Sequence, residues 1–343
     1  MKKIFTVSSP PPLEGVGGRF NRNYLMKTKL LFLFIIWIIF QTPTSAQSGC
    51  TDVLARNYDV NAIENDGNCC YKRLKIKEFT SVILSDTLNE TSGLVEWENH
   101  FYTHNDDTDL HLYQMDKRGS ITKKIKLNGV KNKDWEELTQ DKTHFYLGDF
   151  GNNASGNRTD LSIYKIAKDS LFENPKIEII TFSYPEQTDF TKQKSNTTDF
   201  DCEAFIATEN ELILFTKQWK NNQSAVYRLP KNPGNYSAEY ITTLKVKGLI
   251  TGATFVEEKN FIALCVHNKK LKPFVYLFTD LKDFNFEKAN QRKIKLKLPF
   301  HQIEAISSTN GIDFYISNER FSRKIIGTIS QQLHHFSLEF MSR

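Results

Sequence analysis

Residues 134–166 read DWEELTQDKTHFYLGDFGNNASGNRTDLSIYKI, and they carry the pattern from which the fold class can be predicted. The stretch contains short runs rich in Leu, Ile, Phe and Tyr, with Asp, Asn and Gly residues between them. Short apolar runs bounded by turn residues are typical of β-strands. Since residues 73–343 show no spacing typical of a long amphipathic helix, the sequence predicts an all-β domain there.

The same pattern recurs along the chain about every 50 residues. In five places a polar residue precedes small or apolar residues: 92–94 (SGL), 134–138 (DWEEL), 201–205 (DCEAF), 251–255 (TGATF) and 302–306 (QIEAI). After a turn, a second apolar strand follows at 101–106, 145–153, 212–217, 261–267 and 314–319. A third strand carries a Tyr or another bulky residue at 110–115, 161–166, 225–230, 274–279 and 324–329. A fourth apolar run follows in most units, so the repeat contains four strands.

Four-stranded units that repeat at this interval are typical of a β-propeller. The sequence predicts five blades, and six is the alternative because residues 167–200 are long enough to contain a degenerate blade. Residues 73–87 are expected to supply a strand that closes the ring against the C-terminal unit. A pair of β-sandwiches is the competing class, but it would not require polar residues to recur in register.

The first 46 residues indicate export. Residues 26–46 combine basic residues, an unbroken run of eleven apolar residues and small residues before Gln47, which is the pattern of a secretory signal peptide. Eleven residues fall short of the roughly 20 that a spanning helix needs. We interpret residues 1–25 as an extension wrongly assigned ahead of the true start. The predicted location is secreted or at the cell surface (periplasm or extracellular space), with an uncleaved anchor and lipidation at Cys50 as alternatives.

The charge balance argues against nucleic acid as a partner. The chain has 45 Lys and Arg and 40 Asp and Glu, a formal charge of +5. The first 46 residues hold six of the basic and one of the acidic residues, so residues 47–343 have 39 of each. A processed chain would be neutral, with no global field to attract phosphate or anionic lipid. The sequence also predicts no transmembrane segment after processing.

Residues 47–72 form a small module ahead of the repeats. They are dense in Asp, Asn and Gly and have too few apolar residues for a core, so a disulfide is the expected stabiliser. Cys50 is expected to pair with Cys69 or Cys70, and an odd number of cysteines, five, leaves at least one over. Some of the module's oxygen atoms could hold Ca²⁺, or they could form Asx turns: those of Asp52, Asp59, Asn61 and Asp66.

Two resemblances follow from these motifs. Residues 49–71 resemble a short repeat, GCTD…N-Y…DG-x-C-x-Y, that serves as a spacer in secreted bacterial proteins, and Cys50 and Cys69 occupy its cysteine positions. Residues 90–330 resemble a group of secreted bacterial propellers, phytase-like or esterase-like, of largely unknown function. That second resemblance rests on SGL with HND (92–94, 104–106), DWE with GDFGNN and Arg158 (134–136, 148–153), DCEA with TK and VYR (201–204, 216–217, 226–228), TGA (251–253), and EAI with NE (304–306, 318–319). It implies the propeller fold and no specific activity. The chain departs from the family at His267, where an Arg-Thr-Tyr run is more usual.

The repeated polar residues define a candidate site. In a propeller the innermost strands line the central channel, so Glu136, Glu203 and Glu304 are expected to meet near the axis. The candidate ligand-binding residues are these three and their neighbours from the second strands: His104, Asp106, Glu136, Asp149, Glu203, Lys217, Glu304 and Glu319. Crowded carboxylates repel one another, so either Lys217, Arg158 and the histidines His104 and His267 pair with them or a bound Ca²⁺ neutralises them.

The function predicted from this site is binding of a small ligand, a glycan or a peptide at the polar central face of an exported propeller. The alternative is a metal-assisted hydrolase that acts on phosphate or carboxyl esters at the same face. The sequence has no G-x-S-x-G, H-E-x-x-H or Walker-type motif, so no catalytic residue is assigned and binding is favoured over catalysis. Polar residues that only line a water-filled channel are a third interpretation.

Overall fold

The computed structural model describes residues 47–323 and 327–339, which belong to the unit Gln47–Arg343. The predicted extension 1–25 and the predicted signal peptide 26–46 lie outside the described residues. The described chain is all-β and forms a β-propeller of five blades, which confirms the predicted fold class. None of the helices in these ranges is long and apolar enough to cross a membrane.

The strands ahead of the first blade are short: β1 (Ser48–Gly49), β2 (Glu64–Asn65), β3 (Leu74–Ile76) and β4 (Thr80–Ile83). Blade 1 contains β5 (Thr91–Trp97), β6 (His100–Asn105), β7 (His111–Met115) and β8 (Ile121–Lys126). Blade 2 contains β9 (Trp135–Gln140), β10 (His144–Asp149), β11 (Leu161–Ala167) and β12 (Ile177–Ser183). Blade 3 contains β13 (Cys202–Ala207), β14 (Glu211–Thr216), β15 (Ser224–Pro230) and, after β16 (Gly234–Ser237), β17 (Glu239–Leu244).

Blade 4 contains β18 (Leu249–Val256), β19 (Phe261–His267), β20 (Pro273–Thr279) and β21 (Asn290–Leu296). Blade 5 begins with β22 (Ile303–Ser307) and β23 (Asp313–Asn318), which are followed by the ribbon β24 (Phe321–Arg323) and β25 (Gly327–Ile329), and then by β26 (Gln332–Ser337). Short 3₁₀ helices occur at Asp86–Leu88, Lys168–Ser170, Glu257–Lys259 and Lys282–Phe284. Neighbouring strands of each blade are antiparallel, whereas β16 and β3 join the outer edges of blades 2 and 4 in parallel.

The ring closes within blade 5. Strand β4 pairs antiparallel with β26, so an N-terminal strand completes the blade that the C-terminal part of the chain begins. This confirms that residues 73–87 supply a closing strand, although their first strand, β3, belongs to blade 4 instead. The arrangement joins the two ends of the ring by backbone hydrogen bonds and leaves no unpaired edge between them.

Two details of the predicted repeat are corrected. The third strand of blade 5 was expected at 324–329, but β26 takes that place, because Phe336 stacks on Phe314 of β23 with ring centroids 5.4 Å apart. Residues 327–329 pair with β24 instead, and 324–326 lie outside the described residues. The stretch 167–200 contains no sixth blade, because its one strand, β12, is the fourth strand of blade 2.

The hydrophobic core is divided among the blade interfaces. Five clusters of buried side chains occur, and each joins two neighbouring blades around the ring. Trp135, which is fully buried, packs with Tyr102 and Phe145 between blades 1 and 2. Phe150 and Phe205 meet edge-to-face between blades 2 and 3, with centroids 5.2 Å apart. Five wedge-shaped cores around one hub exclude the sandwich alternative, which would have a single layer between two sheets.

The N-terminal module is closed by a disulfide between Cys50 and Cys69, which confirms the predicted bridge. The module packs on the outer strand of blade 4, where the Asn65 side-chain amide donates to Asn290 Oδ1 at 2.7 Å. Gly67 has a φ of +73°, and a Cβ there would lie 1.9 Å from the carbonyl oxygen of Glu287. Only glycine fits this close approach, so the contact between module and propeller is built into the sequence.

The acidic residues of the module form turns. Oδ1 of Asp52 accepts the N–H of Leu54 at 2.8 Å, and Oδ1 of Asp59 accepts the N–H of Asn61 at 2.9 Å. Asp66 makes the same bond to the N–H two residues further on, also at 2.9 Å. These are the Asx turns of the sequence analysis, and they already occupy one oxygen of each carboxylate.

Replacing both bridged cysteines, Cys50→Ser with Cys69→Ser, is expected to loosen the module. The lost cross-link closes a loop of 19 residues, so the module should lose about 3 kcal/mol of stability. Trypsin should then cut after exposed Arg56 in the folded protein, as measured by limited proteolysis and mass spectrometry. Cys70→Ser is the matched control and should resist like the wild type. Equal resistance of the double variant would show that packing alone holds the module.

Candidate functional site

The inner strand of every blade carries a β-bulge at the same position. In blades 2, 3, 4 and 5 the pairing skips one residue, and those residues are Glu136, Glu203, Thr251 and Glu304. In blade 1 the irregularity spans Gly93 and Leu94. A bulge leaves its extra residue unpaired and redirects that side chain, which is why bulges are common beside functional sites. Three of the five bulges present a glutamate.

The first group of carboxylates, the inner acidic trio, consists of Glu136, Asp201 and Glu203. One oxygen from each lies within 4.8 Å of the others, and all three residues are buried. Asp201 is fixed by the indole N–H of Trp219 and the backbone N–H of Asn152, both at 2.7 Å. The trio therefore combines side chains from two neighbouring blades at one point.

Lys217 is the cation of this region. It is 6% exposed, and its Nζ lies 2.8 Å from Oε1 of Glu203. The carboxylates of Glu203 and Glu304 raise its pKa against the opposing effect of burial. Lys217 therefore stays charged and neutralises part of the acidic charge, as one of the two predicted resolutions requires.

A second group, the outer acidic trio, consists of Glu90, Asp106 and Glu319. One oxygen from each lies within 4.8 Å of the others, and the three residues are partly exposed. Gln302 donates a side-chain hydrogen bond to Glu319. Glu304 lies between the two trios, because both Lys217 of the inner region and Glu90 of the outer trio act on its carboxyl group.

The pKa values of these carboxyls are raised. Burial, followed by repulsion from Glu203, raises the pKa of Glu136 well above its usual range, and burial does the same for Glu203 despite Lys217. Burial raises the pKa of Asp106 to about 8 and that of Glu304 to about 7. Without a further cation, several of these groups hold protons at neutral pH.

Neither His104 nor Asp149 is a member of the two trios, although the charge of Asp149 acts on Asp134 beside the inner acidic trio. His104 is buried against Trp135 with ring centroids 5.8 Å apart, and burial lowers its pKa to about 4, so it is neutral. Asp149 accepts a hydrogen bond from the Arg158 guanidinium at 2.9 Å, which is the pairing predicted for that arginine. Of the eight candidate residues, the structure brings together Asp106, Glu136, Glu203, Lys217, Glu304 and Glu319.

Sequence reasoning missed three acidic residues of the site. Asp201 precedes Glu203 by two positions, as Asp134 precedes Glu136, so the recurring D-x-E could have indicated both. Asp134 lies close enough to Asp201 that repulsion, after burial, raises its pKa to about 6. Glu90 belongs to no repeated motif; the β5–β6 hairpin places it beside Asp106, and the folded ring brings Glu319 of blade 5 to both.

The protein is expected to lose stability as the pH rises from 6.5 to 7.5 in the absence of a metal ion. The folded pKa of Asp106, about 8, exceeds the unfolded value near 3.8, so the folded state holds the extra proton below pH 8. The free energy of unfolding should therefore fall by at least about 1 kcal/mol per pH unit. His104, His267 and His334 oppose this fall in part, because their pKa values are lowered to about 4 or less in the folded state while an unfolded histidine is half protonated at pH 6.5. The carboxyl of Glu319, whose pKa is raised to about 10, adds to the fall. Urea unfolding at the two pH values measures the effect, and a midpoint that is constant or rises would contradict the raised pKa values.

No protein-family model and no curated protein matches the chain. Among solved structures, Raptor of Chaetomium thermophilum is 13% identical with a TM-score of 0.33, and the match covers 72% of this chain and 19% of that one. A putative 6-phosphogluconolactonase from Bacteroides uniformis is 14% identical with a TM-score of 0.34, and the match covers 74% and 72%. At these values neither likeness bears on the function of this chain, whose fold is established by its own strand order.

Proposed function

We propose that this protein is an exported binding protein whose central acidic face holds a divalent cation and, through it, a small oxygen-rich ligand such as a glycan or a peptide carboxylate. Ca²⁺ is the expected ion, because hard cations prefer carboxylate oxygens. The observation that carries the proposal is the convergence of bulged glutamates with Asp201 in the inner acidic trio.

Glu136 supplies an independent reason to expect a ligand. Glu136 is only 7% exposed, and no described residue donates a hydrogen bond to its carboxylate. A buried carboxylate without a donor is costly unless it is protonated or meets a cation. An ion between Glu136, Asp201 and Glu203 would satisfy this group.

The charges of the site support the same conclusion. Many carboxyl groups interact through this face, among them those of Glu90, Asp106, Asp134, Glu136, Asp201, Glu203, Glu304 and Glu319. Among the described residues, the cations that act on them are Lys217 and Arg158. A divalent ion would displace the protons that the raised pKa values retain, so its affinity should increase as the pH rises.

Glu136→Gln is expected to weaken Ca²⁺ binding at least tenfold. The change removes one ligand charge and keeps the shape, and it should not lower the stability of the metal-free protein because no hydrogen bond is lost. Isothermal titration calorimetry measures the affinity, and thermal unfolding in chelator measures the stability. The control is Glu258→Gln, an exposed change in the turn after β18. Equal Ca²⁺ affinity of wild type and Glu136→Gln, or no binding by either, would contradict the proposal.

Export is proposed on two grounds. The Cys50–Cys69 disulfide is stable in an oxidising compartment, and residues 26–46 have the signal-peptide pattern. Mass spectrometry of the protein from its native host should find a mature N-terminus at Gln47. A mature chain that retains residues 26–46 would contradict export by cleavage.

Metal-assisted hydrolysis is the second candidate, and Glu304 favours it. Its carboxyl, with a pKa raised to about 7, lies beside the inner acidic trio and could donate a proton to a leaving group. The test is release of nitrophenol from p-nitrophenyl phosphate or p-nitrophenyl acetate. Hydrolysis would be established if this release requires the metal and is lost in Glu304→Gln. If the protein binds the metal but hydrolyses neither substrate, the binding function proposed above is favoured over hydrolysis.

A further inference from the structure

A cavity with an unbalanced charge lies at the outer strands of blade 4. Its volume is about 510 Å³, and five lysines line it: Lys75, Lys272, Lys293, Lys295 and Lys297. No Asp or Glu is among its lining residues, and Phe274 contributes an apolar wall. Its residues come from β3, β20, β21 and adjoining loops of blade 4, whereas the acidic trios consist of residues in or beside the first two strands of other blades, so this is a separate feature.

The strand pattern produces this concentration of charge. Along β21 and the residues after it, Lys293, Lys295 and Lys297 are exposed and alternate with buried Ile294, Leu296 and Leu298. Strand β3 then pairs in parallel with β21 and places Lys75 directly opposite Lys295. Like charges opposite one another in a sheet are unfavourable. The added strand therefore increases a repulsion that the sequence does not relieve within the sheet.

In two other blades, a basic residue of the third strand has a glutamate partner on the fourth strand. In blade 2, Lys165 pairs with Glu178 of the outer strand at 3.4 Å, and in blade 3, Arg228 lies 3.8 Å from Glu239. None of the five cavity lysines forms an ion pair with any residue in 47–323 or 327–339. Blade 4 thus lacks the carboxylate partners that Lys165 and Arg228 have in blades 2 and 3.

The repulsion among the cavity lysines changes the pKa of Lys293. Its Nζ lies 3.2 Å from the centroid of the Phe274 ring, so an aromatic face is its partner. Burial, together with the charges of Lys295 and Lys247, lowers its pKa to about 8. An anion in the cavity would relieve this repulsion and restore full charge to the lysine.

We propose that this cavity is a binding site for a small soluble molecule that carries two or more phosphate or sulfate groups. The volume is in the range of small-molecule pockets, roughly 300–1,000 Å³. Lysines two residues apart on a strand are separated by about 6.6 Å, so one singly charged anion cannot reach them all. A concave site of this size suits a compact polyanion better than a flat membrane. The inference is independent of the proposed function at the acidic face.

Titration calorimetry with tripolyphosphate, in chelator so that the acidic face is empty of metal, tests the proposal. Tripolyphosphate should bind at least tenfold more tightly than inorganic phosphate, and more weakly at high salt. Lys293→Gln with Lys295→Gln should weaken the binding at least tenfold. The matched control is Lys123→Gln with Lys124→Gln, two lysines of the outer strand of blade 1. Equal losses in both double variants, or no preference for tripolyphosphate over phosphate, would overturn the proposal.

Two further probes distinguish the source of the anionic groups. Sucrose octasulfate presents sulfates on a disaccharide, and vesicles containing phosphatidylglycerol present phosphates on a surface. Binding of tripolyphosphate alone assigns the cavity to phosphorylated molecules, and binding of the sulfated sugar alone assigns it to acidic glycans. Either result supports a polyanion site, provided that the Lys293→Gln, Lys295→Gln variant no longer binds the anion in question. Binding to vesicles alone would overturn the proposal in favour of a membrane-facing surface.

Discussion

Glu137→Ala should be the most destabilising substitution in the propeller, at a cost of roughly 4 kcal/mol or more. Glu137 is fully buried at the hub, and its Oε2 accepts the N–H of Ala253 at 2.8 Å while Oε1 accepts that of Leu138 at 2.9 Å. The N–H of Leu94 in blade 1 also acts on this carboxyl and lowers its pKa against the larger effect of burial. One side chain therefore joins the inner strands of blades 2 and 4, and alanine would leave two buried donors without acceptors.

Urea unfolding followed by circular dichroism measures this cost. Glu137→Gln should lose roughly half as much, because its carbonyl oxygen still accepts while its NH₂ group faces a donor. Glu178→Ala on the outer strand of blade 2 is the control and should change stability by less than about 0.5 kcal/mol, since its side chain is 53% exposed. A Glu137→Ala protein within about 1 kcal/mol of wild type would show that these hydrogen bonds do not hold the hub.

Lys217→Met should have the second largest effect, a loss of roughly 3–5 kcal/mol in the absence of metal. The lysine is buried against Glu203, and its removal leaves that carboxylate without its cation. The same variant should bind Ca²⁺ more tightly than wild type, because a competing positive charge is gone. Ca²⁺ should therefore restore much of the lost stability.

A double-mutant cycle separates this effect from simple loss of packing. Adding Glu203→Gln to Lys217→Met removes both charges of the pair, so the double variant should be more stable than the sum of the single losses predicts. Lys217→Arg keeps the charge and should lose less than Lys217→Met. Additive losses, together with no effect of Ca²⁺ on the stability of Lys217→Met, would contradict the assigned role of this lysine.

The repeat made the propeller predictable. The apolar runs and the polar residue that opens each inner strand recur locally, so a propeller of five or six blades and the approach of Glu136 to Glu203 could be inferred from spacing. Glu304 is not a member of the inner acidic trio, but its charge acts on Glu203. The other inter-blade contacts could not be inferred, because they join residues far apart in the chain. Glu137 is an example: its neighbour in the sequence, Glu136, fits the repeat, yet Glu137 bonds to a strand 116 residues away.

The placement of His104 and Asp149 shows the limit of spacing arguments. In the observed register they stand opposite Ser92 and Trp135, the residues just before the bulges. Lys217 and Glu319 instead follow one residue after the equivalent positions, Thr216 and Asn318. Side chains alternate between faces of a strand, so a shift of one residue in aligning the repeats moves a side chain to the other face. The bulge, which spacing alone does not locate, sets this register.

The most direct test of the acidic face is a crystal structure of the protein grown in Mn²⁺, with anomalous diffraction collected above the manganese edge. Mn²⁺ takes the same oxygen ligands as Ca²⁺ and identifies itself by its anomalous signal. We expect one strong peak between the carboxylates of Glu136, Asp201 and Glu203. A crystal saturated with Mn²⁺ that shows no peak there, with Lys217 alone balancing the trio, would contradict the proposal.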